Sequence, residues 1–354
     1  MNPAKAGRSL GQRLREATAL QASVLTVALF CLLVASTGMG YIRIPPAAVM
    51  QIILGQLGGA PEPFAGLNEI FPVIVMDVRL PRILTAALVG GGLAMCGVVF
   101  QGILLNPLAD PYTLGVSAGA AFGAALAILL NMGALGVYSV PLFAFLGAVA
   151  TLAAVIYLSA GSGGMSSNNL ILSGIIVAAI LAAGISFLKY VADEQVAVII
   201  FWLMGSFASK TWGDVGLTAA CNAGGAAVFL FLARELNLMS LGNQMASSLG
   251  VDTRRVTLAL LAAASVVAAV CVSVAGIIGF VGLLVPHIMR LLSGPDNRRL
   301  VPLSFLAGAL LLLGADTLTR AVLPVEIPIG VLTALIGGPF FCFVFRRQSA
   351  GRAW

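Results

Sequence analysis

Between Arg82 and Asp110 the chain reads ILTAALVGGGLAMCGVVFQGILLNPLA (83–109), with no charged residue anywhere in it. Beyond Asp110 a second charge-free run extends from 111 to 188, 78 residues in all. A helix needs ~20 apolar residues to cross a bilayer, so the first run supplies one span and the second has room for three. The whole sequence follows the same pattern. Of 354 residues 60% are hydrophobic and 9% are charged, against roughly 25% charged in a soluble domain. So few charges cannot cover a globular surface in water, which excludes a soluble enzyme and a disordered chain alike. The fold class that follows is an all-α polytopic membrane protein, read as one transmembrane domain over 1–354.

Charge-free runs set the expected spans at 17–42, 83–109, three within 111–188, then 212–233, 254–275, 276–292, 302–320 and 327–345. Turn-like stretches at 131–141 and 161–169 divide the long run. These make ten spans, with both termini on one side. Residues 1–16 carry Lys5, Arg8, Arg13 and Arg15 and read as a basic cytoplasmic N-terminus, since no clear cleavage site follows the long apolar run. The apolar segment 195–209 is short for a crossing. Placing it at the outer face leaves 13 of the 19 basic and 5 of the 13 acidic residues inside, a net +8 against −2 outside. Counting it as an eleventh span would export Arg234, Arg254, Arg255, Arg298 and Arg299, against the positive-inside rule.

Few motifs carry chemistry. The five cysteines stand singly in apolar runs and there is one histidine, His287, so neither a disulfide framework nor a metal cluster is expected. No G-x-x-x-x-G-K-[ST] occurs, so an ATP engine would have to be a separate polypeptide. The net charge of +6 is spread over short loops rather than clustered, which gives no nucleic-acid patch. Gly115–Gly119 (GVSAG) matches a hydrolase elbow only formally. Gly115, Gly119 and Gly123 instead predict a smooth helix face for close packing. Leu238, Leu241, Met245 and Leu249 recur at helical spacing within 235–252 and predict one short amphipathic helix, closed by Gly250. It fits a partner groove or a headgroup layer equally well. Arg79 and Arg82, at the start of the second span, and Arg320, at the end of the ninth, fall on the outer side against the charge bias. They suit pairing with Asp77, Asp316 or Glu326, or recognition of an acidic partner.

Six stretches together resemble the FecCD-type permease family, the membrane subunit of type II ABC importers for iron–siderophore, haem and cobalamin. They are RLPR (79–82), GGGLAMCGVVFQGILLNPLADPYTLGVSAGA (90–120), LILSG (170–174), WLMGSF (202–207), GIIGFVGLLVPHIMR (276–290) and GADTLTRAVLPVEIPIGVLTALIGGPFF (314–341). The resemblance implies a ten-helix subunit of a bacterial cytoplasmic (inner) membrane, working as a homodimer with the solute path on the two-fold axis. Two ATP-binding cassette subunits would bind below, carrying the ATP and Mg; this chain would hold no cofactor. A solute-binding protein would dock above. By the same resemblance Arg79, Arg82 and Arg320 match the arginines that meet this protein's lobes, and Leu238–Leu249 matches the coupling helix seated in the ATPase. Asn106, Leu108, Ser167 and Asn168 match the two loops narrowing the inner end of the path. His287 falls in the family's Pro-His motif, with the structural task of satisfying a carbonyl freed by Pro286.

The expected function is passage of a metal chelate, ferric siderophore or haem first and cobalamin next. The alternatives are a permease for an oxyanion such as molybdate, an ion-coupled secondary transporter, and a structural scaffold. Secondary carriers place ionisable residues near the midplane, whereas the charges here gather at span ends.

Overall fold

The computed structural model describes residues 10–349 apart from 41, 59–67, 133–135, 137, 162–165 and 322–324. Lys5 and Arg8 of the basic N-terminus therefore lie outside the described residues. Among the described residues there is no strand. The helices are α1 (Leu10–Gly38), α2 (Pro46–Gly58), α3 (Ile70–Val73), α4 (Leu80–Leu104), α5 (Val116–Leu129), α6 (Ser139–Gly161), α7 (Ser167–Val191) and α8 (Val196–Leu203). They continue with α9 (Trp212–Phe231), α10 (Ala233–Met239), α11 (Asn243–Ser248), α12 (Thr253–Ala275), α13 (Val281–Ser293), α14 (Asn297–Ala321) and α15 (Ile329–Ser349).

Among the described residues, seven helical stretches are long and apolar enough to cross a bilayer: Glu16–Gly38, Ile70–Leu104, Ser139–Gly161, Ser167–Val191, Trp212–Phe231, Thr253–Ala275 and Asn297–Ala321. The other three expected spans correspond to α5, α13 and α15, whose apolar parts are shorter. At 1.5 Å per residue the 13 residues of α13 reach only ~20 Å, well short of a ~30 Å hydrocarbon core. Helix α2 is apolar too, at a place where no element was expected. Helix α8, with eight residues, is too short to cross, in keeping with its exclusion from the spans.

Helix α4 is the axis of the fold. From Pro81 to Leu104 nearly every side chain is buried, so it is apolar all round, as a helix enclosed by others must be. Glycines let its neighbours close in. A Cβ on Gly90 would lie 2.3 Å from the Gly308 carbonyl oxygen of α14, and one on Gly97 1.7 Å from the Gly282 carbonyl oxygen of α13. Lipid offers no hydrophobic drive between helices, so this close backbone packing carries much of their association.

Two expectations need correction here. The second span does not begin at Arg82. Helix runs unbroken from Ile70 to Leu104, passing through a π-helical stretch at Ile74–Arg79, so Arg82 sits inside a long helix rather than at its positive end. The glycine face is also shorter than expected. Gly119 and Gly123 pack α5 on α6, where added Cβ atoms would meet the carbonyl oxygens of Gly147 (2.4 Å) and Phe143 (2.0 Å). Gly115 instead stands before the helix with φ +75°, as its left-handed N-cap.

Candidate functional site

Arg82 and Asn106 lie near opposite ends of α4, 24 residues or ~36 Å apart along a helix. They mark two clusters of polar groups.

At the first end Arg79, Arg82 and Arg320 do come together, but with different partners. Arg79 is 6% exposed and donates to the carbonyl oxygens of Thr37 (2.7 Å) and Ile42. Arg320 donates to Ser36 O and Oγ (3.0 Å each) and to Met39 O. These are the last carbonyls of α1 and of the chain leaving it, which have no helical partner of their own. Gly40 fits between the two guanidinium groups, and a Cβ there would lie 3.0 Å from each. Arg82 faces carboxylates instead. Its Nε and Nη2 bind Asp316 Oδ1 at 3.0 and 2.9 Å, and its two Nη groups bind Glu326 at 3.3 and 3.1 Å. Asp316 Oδ2 also lies 3.7 Å from Arg320 Nε. Asp316 and Glu326 are thus the partners that the sequence offered to the arginines, and both engage Arg82.

Beside this cluster three breaks in helical structure meet. Helix α12 ends at Ala275, and Gly276–Phe280 is non-helical before α13 returns. The turn lies alongside the middle of α4, since Gly92 faces Cys271 and Gly97 faces Gly282. Irregular backbone at that depth survives only when protein satisfies it. Lys210 Nζ donates to Val274 O (2.6 Å), the Ser206 amide to Ala275 O (2.8 Å) and Tyr112 Oη to Ile278 O (2.5 Å). The amides of Ile329 and Gly330 donate to Gly205 O and Met204 O, tying the start of α15 to the end of α8. Burial lowers the pKa of Lys210, the nearby Asp214 carboxylate raises it, and the Arg82 charge lowers it further.

At the opposite end of α4, Leu105 takes φ +50° and Asn106 Oδ1 accepts the Leu108 amide (2.9 Å), turning the chain. Asp110 then caps the 3₁₀ turn Pro111–Leu114, accepting from the amides of Tyr112 and Thr113. Ser167 Oγ donates to Ile103 O (3.3 Å), so the start of α7 meets the end of α4. Leu108 and Asn168 are exposed. Arg290 Nη2 donates to Gln101 Oε1 (3.0 Å). His287 Nε2 is buried without a partner, so the expected bond from this nitrogen to a freed carbonyl is not made.

The segment 235–252 is two helices, not one. Gly242, with φ +102°, separates α10 from α11. Leu238 belongs to the first and packs with Met239, Ala246 and Val251, whereas Leu241, Met245 and Leu249 are exposed. Gly250 (φ +86°) closes α11: its amide bonds to Ser247 O and that of Val251 to Ala246 O. The expected stripe therefore reduces to three exposed apolar side chains on a compact turn.

Sequence reasoning missed Gln101–Arg290, Tyr112–Ile278 and Lys210–Val274. Each joins segments 64 or more residues apart, and no periodic pattern signals such a pair.

Close-packed apolar helices around buried irregular backbone that side chains satisfy define a multi-pass helical membrane protein. The chain belongs to the FecCD transport family, whose model matches residues 26–347. It is 45% identical over 284 residues to the cobalamin import system permease protein BtuC of Halobacterium salinarum, covering 80% of this chain and 76% of that one. It is 38% identical over 327 residues to the Fe(3+)-citrate import system permease protein YfmE of Bacillus subtilis, covering 92% and 94%. A solved structure described as an inward-facing conformation of a metal-chelate type ABC transporter superposes with a TM-score of 0.80 at 34% identity, over 92% of this chain and 98% of that one.

Proposed function

We propose that this chain forms, as a homodimer in a bacterial cytoplasmic membrane, the pathway of an ATP-driven importer for a metal chelate. Ferric siderophore or haem is the first solute class and cobalamin the next. Relatives that carry ferric citrate and cobalamin support a chelate as cargo. The observation that carries the coupling is the exposed set Leu241, Met245 and Leu249 on the α10–α11 turn. Apolar side chains on a short, capped turn, at the end of the bundle away from the arginines, suit a groove on an ATPase subunit better than bulk water. The chain has no phosphate-binding loop, so hydrolysis belongs to that partner. On this reading both termini are cytoplasmic, α8 and the arginine cluster face outward, and a solute-binding protein docks at the cluster. Asn106, Leu108, Ser167 and Asn168 then narrow the inner mouth, with exposed Leu108 and Asn168 turned toward the second copy.

The test is uptake of iron-55-labelled ferric siderophore, haem and cobalt-57 cobalamin into proteoliposomes holding this chain, its ATPase and its solute-binding protein. Uptake of one of these that needs ATP and both partners is the expected result. Uptake on a proton or sodium gradient without them would replace this reading by a secondary transporter.

A further inference from the structure

The three arginines at the outer end are not equivalent. Their side chains differ little in exposure, 8% for Arg320 and 13% for Arg82, but the forks of Arg79 and Arg320 are committed to the carbonyls that end α1. A partner could take either one only by stripping those carbonyls of their donors. Arg82 is different: its inner edge is fixed on Asp316, 2% exposed, but its outer edge is held by Glu326, 55% exposed. Glu326 lies in the non-helical stretch 325–328, so it can swing away without melting a helix.

A cavity of about 240 Å³ opens beside this pair, lined by Arg82, Ser206, Thr319, Glu326 and Pro328 among others. Sites for whole organic ligands run from about 300 Å³ upward, so this one suits a side chain rather than a chelate. The cluster holds three arginines against two carboxylates, Asp316 and Glu326, and therefore has an unmatched positive charge that favours a further anion.

From these facts we infer that Glu326 is a stand-in for a carboxylate of the docking protein. It occupies the outer fork of Arg82 in the free subunit, and the incoming side chain displaces it. Arg82 is then the arginine that engages the partner, while Arg79 and Arg320 hold its platform. This inference rests on the docking reading above. One bidentate carboxylate replaces another, so no donor on Arg82 is left unpaired during the exchange. The internal pair competes with the partner and sets a ceiling on docking affinity.

The experiment titrates full-length protein in nanodiscs with the solute-binding protein that supports uptake in the reconstitution above, at low and moderate salt. Glu326→Gln should tighten docking by ~2–5-fold, the worth of an exposed ion pair. Arg82→Lys keeps the charge but loses the fork. It should weaken docking and make Glu326→Gln silent in the double variant. Reaction with p-hydroxyphenylglyoxal, read by peptide mass spectrometry, gives a readout without any partner. Glu326→Gln should speed modification of Arg82, with Arg79 and Arg320 protected throughout. If Arg82→Lys weakens docking but Glu326→Gln leaves it unchanged or weakens it, the stand-in is wrong and the docking site stands. If Arg82→Lys and wild type dock alike, or no solute-binding protein supports uptake, the docking reading falls and the inference with it.

Discussion

Tyr112 Oη lies 2.5 Å from the carbonyl oxygen of Ile278 and 3.3 Å from its amide nitrogen, joining the turn after α4 to the break between α12 and α13. One hydroxyl thereby donates to one backbone group and accepts from the other in a residue that belongs to no helix. The Asp110 cap sets the conformation of the Tyr112 turn, so the break is held by a local motif 166 residues away.

Tyr112→Phe tests this contact with little change in volume. The Ile278 carbonyl and amide would remain buried without the hydroxyl, and a buried unsatisfied group costs about 1–3 kcal/mol. Thermal unfolding in nanodiscs should show a clear loss of stability. Hydrogen exchange should quicken at 276–280 while α6 and α7 stay unchanged. An unaltered melting curve would mean that the hydroxyl contributes nothing net.

Glycine-to-alanine variants should separate packing glycines from idle ones. A Cβ at Gly97 or Gly123 would fall 1.7 or 2.0 Å from a neighbouring carbonyl oxygen, so helices must part. Overpacking of this kind costs typically 1–3 kcal/mol, roughly the range expected for both. Gly224, on α9, has nothing within 4 Å of its added Cβ, and Gly224→Ala should be neutral or slightly stabilising, since alanine is the better helix former. Chemical denaturation of the three variants side by side gives the ranking; equal effects at Gly97 and Gly224 would contradict it.

The spans were legible because lipid forces a simple code: long charge-free runs, interrupted by polar turns, with arginine and lysine biased to one side. Residues 83–109 and 111–188 state it plainly. What stayed hidden depends on partners distant in sequence. Arg79 and Arg320 were read as pairing with carboxylates or an acidic partner, whereas their acceptors are mainly the backbone carbonyls of Ser36, Thr37, Met39 and Ile42, and a carbonyl has no signature in sequence. The helical start at Ile70 was missed because Asp77, Arg79 and Arg82 interrupt the apolar run, although the helix passes straight through them. The amphipathic stripe of 238–249 had the right period but ignored Gly242, whose backbone conformation splits it. Gly119 and Gly123 were read correctly because close packing of small residues is a local pattern; Gly115 was not, since one residue before a helix has the same spacing as one within it.

Replacing Leu241 and Met245 together by Asp tests the ATPase contact. Both side chains are exposed in the subunit, so the fold and its melting temperature should be nearly unchanged. Two carboxylates placed in a desolvated groove carry a penalty of at least ~2 kcal/mol unless paired. ATPase co-purification should fall by tenfold or more and ATP-driven uptake with it. Leu236→Asp serves as contrast, because Leu236 is fully buried against Gly102 and its variant should fail to fold. Normal co-purification and transport from the double variant would remove the coupling assignment.

Arg79 and Arg320, bound to backbone carbonyls, should matter to stability more than to recognition. Removing the Arg79 guanidinium, as in Arg79→Met, leaves the carbonyls of Thr37 and Ile42 without its donors. Bonds to charged groups contribute about 1.5–3 kcal/mol each, and the methionine chain restores some packing but no donor. The end of α1 should loosen, with faster hydrogen exchange over residues 36–44 and a lower melting temperature. Arg320 would then lose the neighbour that shares Gly40 with it, so Arg79→Met and Arg320→Met should be non-additive in a double-mutant cycle. Arg82→Lys should leave exchange over 36–44 as in wild type, because the Arg82 guanidinium bonds to Asp316 and Glu326 rather than to the carbonyls that end α1. If Arg79→Met melts and exchanges like wild type but docks the binding protein poorly, the division of labour among these arginines is reversed: Arg79 would be the recognition residue, and the α1 carbonyls would be satisfied without it.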